Sequence, residues 1–288
     1  MKVSLGRKPM KRAILLAHYD RDGIVDPYVI AAAEAYRRFA DTLVLISVST
    51  RVLPTQLHGV VDEFIHRENV GYDFGSWRTG LEAIGTLSQF DEIVCVNDSV
   101  YGPLFDLAPA MESPRHRDAD FWGMTISAQV RPHVQSWFFA MRPQVIQSET
   151  FRRFWAASAG DLPKDDIIKQ REIGFSAALS DAGYRIAAVH DGRERLVPSA
   201  AEKAKHWSWF SPLRTRRYVR KTRVRTGPFN PSELFYDRLW GSGVPFLKRR
   251  IFTANFYGLD LSRVLADLGR LSPRWADLIA NHRRRVER

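Results

Sequence analysis

Between Arg12 and Asp20 the chain reads RAILLAHYD, five apolar residues in a row with polar residues at both ends. A run this short, without helical spacing, predicts a strand buried on both faces. Similar runs recur at 41–50 (DTLVLISVST), 60–66 (VVDEFIH), 91–98 (DEIVCVND), 118–127 (DADFWGMTIS), 134–142 (VQSWFFAMR) and 184–189 (YRIAAV). Between several of them the apolar spacing lengthens to that of a helix. One helix is expected from Pro27, where proline suits a first turn, and another places Phe74, Trp77, Leu81 and Ile84 on one face. Residues 149–159 and 164–182 also read as helical. Strands alternating with helices predict an α/β fold, a largely parallel sheet covered on both faces.

In such a sheet, ligands bind beyond the carboxyl ends of the strands. Three unusual loops fall at those ends: HYDRDG after the first strand, RENVGYDFGSW after the third and NDSVYGP after the fourth. All three should open on one rim, and that coincidence carries most of the functional signal.

Each loop has a chemical and a purely local reading. In NDSVYGP, the oxygens of Asn97, Asp98 and Ser99 suit a hard divalent cation or a ribose, or else an Asx-turn ending at Gly102-Pro103. In RENVGYDFGSW, Arg67 suits a phosphate, and Gly71 and Gly75 permit close backbone approach. Asp73 there serves a sugar hydroxyl, a metal or the N-terminus of its own helix. The loop lacks the Gly-x₄-Gly-Lys-Ser/Thr pattern of a Walker site. Further on, Ile168, Glu172, Phe175 and Leu179 form one helical stripe, which turns Glu172 inward. Desolvation there would raise its pKa toward that of a general base, unless it pairs with Arg142 or Arg185. In RPHVQSWFFAMR, His133 is a candidate base or substrate donor, with Gln135 beside it. Trp137 is either a sugar platform or core. No His/Cys cluster has zinc spacing, and no Gly-x-Ser-x-Gly elbow appears.

Composition sharpens this picture at the carboxyl end. The formal charge is +11, yet residues 1–200 hold 23 basic and 25 acidic side chains, against 20 and 7 in residues 201–288. The excess is therefore confined to a basic, partly helical extension, and we expect a domain over 1–200 with an appendage over 201–288. Its segment HWSWFSPLRTRRYVRKTRVRTG (206–227) mixes tryptophan with dense arginine, which suits an anionic membrane surface, a solvated face or nucleic acid. No nucleic-acid motif accompanies it, and no nucleic-acid partner is expected. NPSELFYDRLWG follows as a short helix with Asn230 as cap, Pro231 first, Glu233 completing a capping box and Gly241 as stop. Two more helical patterns cover about 260–268 and 273–282. The one cysteine, Cys95, lies in an apolar run, where a buried hydrophobe is expected and no internal disulfide is possible. No apolar run approaches a membrane span, and AILLA is short for a secretory leader, so a cytosolic location is expected.

RENVGYDFGSW, NDSVYGP, DFWGMTIS, HVQSWFFAMR and NPSELFYD…GVPFLKR, in that order, resemble the motifs of the rhamnan synthesis protein F family, over about residues 12–258. The resemblance implies a GT-A-like, Rossmann-related fold and a glycosyltransferase that builds rhamnose-containing surface polysaccharides. It implies a nucleotide-diphosphate-sugar donor of the dTDP-rhamnose or GDP-deoxysugar class, and a glycan or lipid-linked glycan acceptor. His18, Tyr19 and Asp20 would lie near the nucleotide base. Arg67, Asn69, Gly71, Asp73, Asn97, Asp98 and Ser99 would hold the donor. His133, Gln135 and Trp137 would meet the acceptor. Where metal-dependent GT-A enzymes carry Asp-x-Asp, this chain has Asn97-Asp98-Ser99, which leaves Asp98 as ligand for Mg²⁺ or Mn²⁺. Glu172, in preference to Asp120, would be the base of an inverting reaction. The basic extension would hold the enzyme at the inner face of the cytoplasmic membrane.

Overall fold

The computed structural model describes residues 10–157, 166, 168–193 and 230–287; the segment 206–227 lies outside them. An eight-stranded sheet in the order β3-β2-β1-β4-β8-β6-β7, with β9 also on β6, forms the centre. The strands are β1 (Arg12–His18), β2 (Thr42–Ser47), β3 (Glu63–His66), β4 (Glu92–Asn97), β6 (Phe121–Ser127), β7 (His133–Val134), β8 (Phe138–Met141) and β9 (Ile186–Gly192). Two short strands, β5 (Val100–Tyr101) and β10 (Leu247–Lys248), pair separately and antiparallel. The sheet is mostly parallel, as expected: β1 runs with β2 and β4, β2 with β3, and β6 with β9. The departures are β8, which runs antiparallel between β4 and β6, and the short β7, which runs antiparallel to β6.

Side-chain alternation along the strands divides the core in two. Ile14, Leu16, Leu45, Val94 and Val96 face one side, where helix Pro27–Arg37 packs. Ala13, Leu15, Val44, Ile46, Ile93 and Cys95 face the other, against Phe74, Trp77, Leu81 and Ile84 of helix Tyr72–Ala83. Both faces of these strands are buried, so the strands read as unbroken apolar runs. Trp77 also donates its indole N–H to the Val96 carbonyl at 3.0 Å, which fixes helix Tyr72–Ala83 against β4. Cys95 is fully buried, and burial pushes its thiol well above the ordinary range.

Residues 230–287 share the first of these cores. Leu234, Phe235, Phe246, Leu268 and Ile279 belong to the same buried cluster as Ile14 and Leu16. The last helix, Pro273–Val286, brings Arg285 onto the loop after β1, where one guanidinium meets Asp20, Asp22 (2.6 Å) and Asp26 (3.2 Å). The cap of helix Pro231–Leu234 is Asn230, whose side chain accepts from the Ser232 amide. The expected reciprocal bond from Glu233 to the cap amide is not made. That amide donates to the Tyr257 hydroxyl at 2.9 Å, and Glu233 accepts from the Asn230 side chain at 3.3 Å.

A candidate donor site on the carboxyl rim

The strand order sets the carboxyl ends of β1, β4 and β6 on one rim and their amino ends on the other. Asp120 precedes β6 and therefore lies on the amino rim. Its carboxylate accepts from the Arg185 amide at 2.8 Å, its guanidinium partner is Arg185 at 3.6 Å, and both stand apart from the strand-end loops. Asp120 is thereby removed as a candidate base. Nearby on that rim, Glu92 takes Arg12 (2.8 Å), Arg142 (3.4 Å) and the Trp122 indole (2.8 Å), a buried structural network. Arg142 and Arg185 are thus committed elsewhere, and neither pairs with Glu172.

The partner of Glu172 is His133, whose Nε2 lies 3.0 Å from Oε1, while the Ser136 hydroxyl donates to Oε2. Glu172 sits in a π-helical turn, Ile168–Ile173, which leads into helix Gly174–Asp181. The extra residue per turn re-aims the side chains that follow, a feature common at functional sites. Its side chain as a whole is 17% exposed. The expected rise in its pKa is reversed. Burial alone would raise it, but the His133 hydrogen bond and charge, the Ser136 hydroxyl and the charge of Lys248 outweigh burial and hold it below the ordinary range. His133 moves the opposite way: burial would lower it, and Glu172 raises it.

The loop after β4 makes its own turn. Asn97 Oδ1 accepts from the Ser99 amide at 3.1 Å and its hydroxyl at 2.6 Å, the Asx-turn geometry. Asn97 Nδ2 donates to Asp73 at 2.8 Å, so Asp73 reaches across to the β4 loop. Helix capping falls instead to Gly71, at φ 76° with no side-chain cap bond. The Ser99 hydroxyl in turn accepts from Lys248 Nζ at 3.0 Å, and the ammonium stands 5.6 Å from the Trp137 ring centroid. Burial pulls Lys248 down to about 8, against the opposing charges of Glu172, Glu233 and Asp73. The rim thus carries a continuous line, Asp73–Asn97–Ser99–Lys248, electrostatically linked to Glu172.

Asp98 points away from that line. Its carboxylate pairs with Arg249 at 3.1 Å and accepts from the Tyr19 amide at 3.3 Å and the Tyr28 hydroxyl at 3.5 Å. Arg249 also donates to the Asp98 carbonyl at 3.0 Å, and its own pKa is raised, against burial, chiefly by the Asp98 charge. A cation binding to Asp98 would have to displace or adjoin a guanidinium. Among the described residues no group of three or more His, Cys, Asp or Glu side chains is placed to hold a metal ion. The residues as placed do not fit a divalent cation.

Several other expected contacts are structural instead. His18 is 2% exposed, its ring held between the Ser47 hydroxyl (3.0 Å) and the Ile24 carbonyl (3.2 Å). Asp20 organises its loop through the Asp22 and Ile24 amides and Arg285. Arg67 donates to the Ser76 hydroxyl at 3.2 Å and to the Val70 carbonyl, so its fork closes its own loop. Gly75 gives room to that same loop: a Cβ there would stand 2.1 Å from the Val70 carbonyl and 2.7 Å from the Arg67 guanidinium. Gln135 is buried and bound to Asn230 (3.1 Å) and Ser232 (2.7 Å). Trp137 is core, edge-on to Phe246 at 5.4 Å. Tyr19 and Asn69 remain exposed on the rim. Tyr19, Arg21, Arg249, Phe252 and Arg283 line a cavity of about 340 Å³ beside Asp98. Lys248 and Arg249 are the residues that sequence reasoning missed. Two basic side chains inside GVPFLKR were the available signal, hidden among many other arginines.

Comparison with known proteins decides the family. The model for "Rhamnan synthesis protein F" matches residues 43–213, more than half of the chain. The chain belongs to this family. The matched span contains Asp73, Asn97–Ser99, His133 and Glu172, while Lys248 and Arg249 lie beyond it. It is 29% identical over 210 residues to the virulence protein VirA of Vibrio anguillarum, covering 71% of this chain and 66% of that one. It is 25% identical over 199 residues to the uncharacterized protein y4gN of Sinorhizobium fredii, covering 65% and 51%. The chain thus spans just under two thirds of the first relative and about half of the second. Among solved structures it is similar to the mannosyltransferase PcManGT from Pyrobaculum calidifontis in complex with GDP-Man and Mn²⁺. That match has a TM-score of 0.42 and 12% identity, and covers 96% of this chain and 80% of the other.

Proposed function

We propose that the protein is a glycosyltransferase that moves a sugar from a nucleotide-diphosphate donor to a growing surface glycan. Membership of the rhamnan synthesis family supports a rhamnosyl or related deoxysugar, carried as dTDP-rhamnose or a GDP-deoxysugar. The observation that carries the reading is the rim cluster, in which the Asp73–Asn97–Ser99–Lys248 line stands within electrostatic reach of Glu172. One part can hold a polyhydroxylated, anionic donor, and the other can take a proton.

In this reading the acceptor hydroxyl attacks the anomeric carbon from the face opposite the diphosphate, and configuration inverts. The new C–O bond forms with the acceptor's lone pair. The bond from carbon to the phosphate oxygen breaks with its electrons on the departing nucleoside diphosphate, and the acceptor proton passes to Glu172. His133 and Ser136 keep that carboxylate deprotonated, at the cost of a weaker basicity that proton transfer concerted with attack on the anomeric carbon has to overcome. The division into a catalytic domain over 1–200 and a basic extension over 201–288 packed on it belongs to the same proposal, with the extension supplying Lys248 and Arg249 to the rim. So does docking of the extension on the anionic inner face of the cytoplasmic membrane. Among the described residues no helix is long and apolar enough to cross a membrane.

The test is release of nucleoside diphosphate from a panel of dTDP-, GDP- and UDP-sugars with an extracted lipid-linked acceptor. One donor should be turned over, and Glu172→Gln should lower the rate by about a hundredfold or more. Near-full activity in that variant would remove Glu172 from the mechanism. Donor binding without turnover by the unaltered protein would favour a non-catalytic sugar-binding module. The sequestered Asp98 is the one feature that speaks for that second reading.

A further inference from the structure

We infer that Lys248 and Arg249 do the work of a divalent cation here, so that this protein binds and discharges a nucleoside diphosphate without metal. The inference rests on the glycosyltransferase reading above and concerns the same rim. A hard cation at the end of β4 would need the oxygens of Asn97, Asp98 and Ser99. Each has another partner. Asn97 Oδ1 takes two hydrogen bonds from Ser99, and the Ser99 hydroxyl takes the Lys248 ammonium at 3.0 Å. Asp98 Oδ2 takes the Arg249 guanidinium at 3.1 Å together with the Tyr19 amide and the Tyr28 hydroxyl, so one oxygen of the carboxylate is fully engaged.

Those two positive charges are fixed by the chain itself. β10 pairs antiparallel with β5, with Lys248 opposite Val100, and the Arg249 amide donates to the Ser99 carbonyl at 3.0 Å. The β4 loop is therefore gripped on either side by successive residues of one strand end. A metal ion added there would sit beside an ammonium and a guanidinium, a repulsion that the carboxylates of Glu172, Glu233 and Asp73 near Lys248 and of Asp98 and Asp20 near Arg249 offset only in part, since those carboxylates already answer the two cations. A diphosphate, with about the opposite charge, meets two preplaced donors instead. Burial supports the assignment: Lys248 is held at about 8, poised to regain its proton's full stability when an anion arrives. Arg249 also borders the 340 Å³ cavity, which gives a ligand access to it.

The experiment is calorimetric titration of the full chain with GDP, dTDP and UDP, after dialysis against EDTA and again with added Mn²⁺. At least one diphosphate should bind in EDTA with an affinity that Mn²⁺ leaves unchanged. Lys248→Met should weaken it about tenfold or more, and Lys248→Arg should restore most of the loss. Circular dichroism melts of both variants separate misfolding from lost contact, and the charge-keeping variant carries the test if the apolar one does not fold. Binding that requires Mn²⁺, or that ignores Lys248→Met, overturns the inference and leaves the nucleotide-sugar reading standing. Binding of no diphosphate under either condition overturns both.

Discussion

Asp98 is the residue for which the two accounts of the site differ most in a measurable way. As a metal ligand, its charge is needed only when the ion is present. As the partner of Arg249, its charge stabilises the fold in every condition. The pair is 3.1 Å apart, with side-chain exposures of 9% for Asp98 and 21% for Arg249. At an effective dielectric of about 20, unit charges at that distance attract by about 5 kcal/mol, an upper bound because desolvation opposes it. Removing one member of a buried pair costs about 3–5 kcal/mol, chiefly because the other is left uncompensated. Partial exposure of Arg249, and the acceptor oxygen that asparagine keeps, bring the expectation for Asp98→Asn to about 2–3 kcal/mol. Urea unfolding in EDTA, followed by tryptophan fluorescence, reads this directly. The double variant Asp98→Asn/Arg249→Met should lose less than the sum of the two single changes, since no buried charge is left unpaired. A loss under about 0.5 kcal/mol for Asp98→Asn, with an additive double variant, would refute the pairing argument. A wild-type midpoint raised by Mn²⁺ and unaffected in Asp98→Asn would point to the metal instead.

Three further outcomes follow from the geometry. His133 is raised above its unfolded value of 6.5, so its contribution to stability is complete below that pH and is lost as pH rises through the folded value. Glu172 is lowered below 4.5, so its contribution is complete above that pH and is lost on further acidification. His133→Gln should therefore destabilise most between those two values, and equal urea midpoint shifts at about pH 5.5 and 8.5 would contradict the ion pair. Gly75→Ala forces a Cβ onto the Val70 carbonyl and should lower stability by about 2 kcal/mol or more, read by thermal melting; a silent change would mean the loop after β3 moves freely. Asp120→Asn removes a buried carboxylate whose ion-pair partner, Arg185, is exposed on the far rim, and should alter stability by about 1 kcal/mol while leaving transfer intact. A large loss of activity there would relocate the chemistry.

The layered fold was legible because burial on both faces leaves a plain mark. Runs such as RAILLA and EIVCV have no polar face, and Phe74, Trp77, Leu81 and Ile84 recur at helical spacing onto one core. Strand direction leaves no such mark, because FFAM reads the same either way, and β8 in fact runs against its neighbours. The third strand was read over 60–66 but pairs only from Glu63 to His66, since Val60 and Val61 follow a turn at Thr55–Leu57. The rim was predicted correctly as the meeting place of the β1, β3 and β4 loops. The tasks of single side chains on it were not legible. Arg67, Gly75 and Asp73 looked like ligand groups by type, yet Arg67 and Gly75 shape their own loop and Asp73 joins it to Asn97.

What sequence order hid is a matter of distance along the chain. Glu172 lies 39 residues from His133, and the sign of its pKa shift depends on that neighbour. Lys248 lies 149 residues from the Ser99 hydroxyl it touches, and Arg249 lies 151 from Asp98. Within VPFLKRRIF they read as part of a solvated basic face, because the net charge of residues 201–288 made every arginine there look alike. The β5–β10 pairing sorts them. Lys248 ends β10 and is directed to Ser99, while the chain turns at Arg249 into the short helix Arg250–Thr253 and sends the guanidinium to Asp98, around the one loop where an anion's charge needs an answer. A charge census can find the cations, but only the register of two short strands says which of them belong to the site.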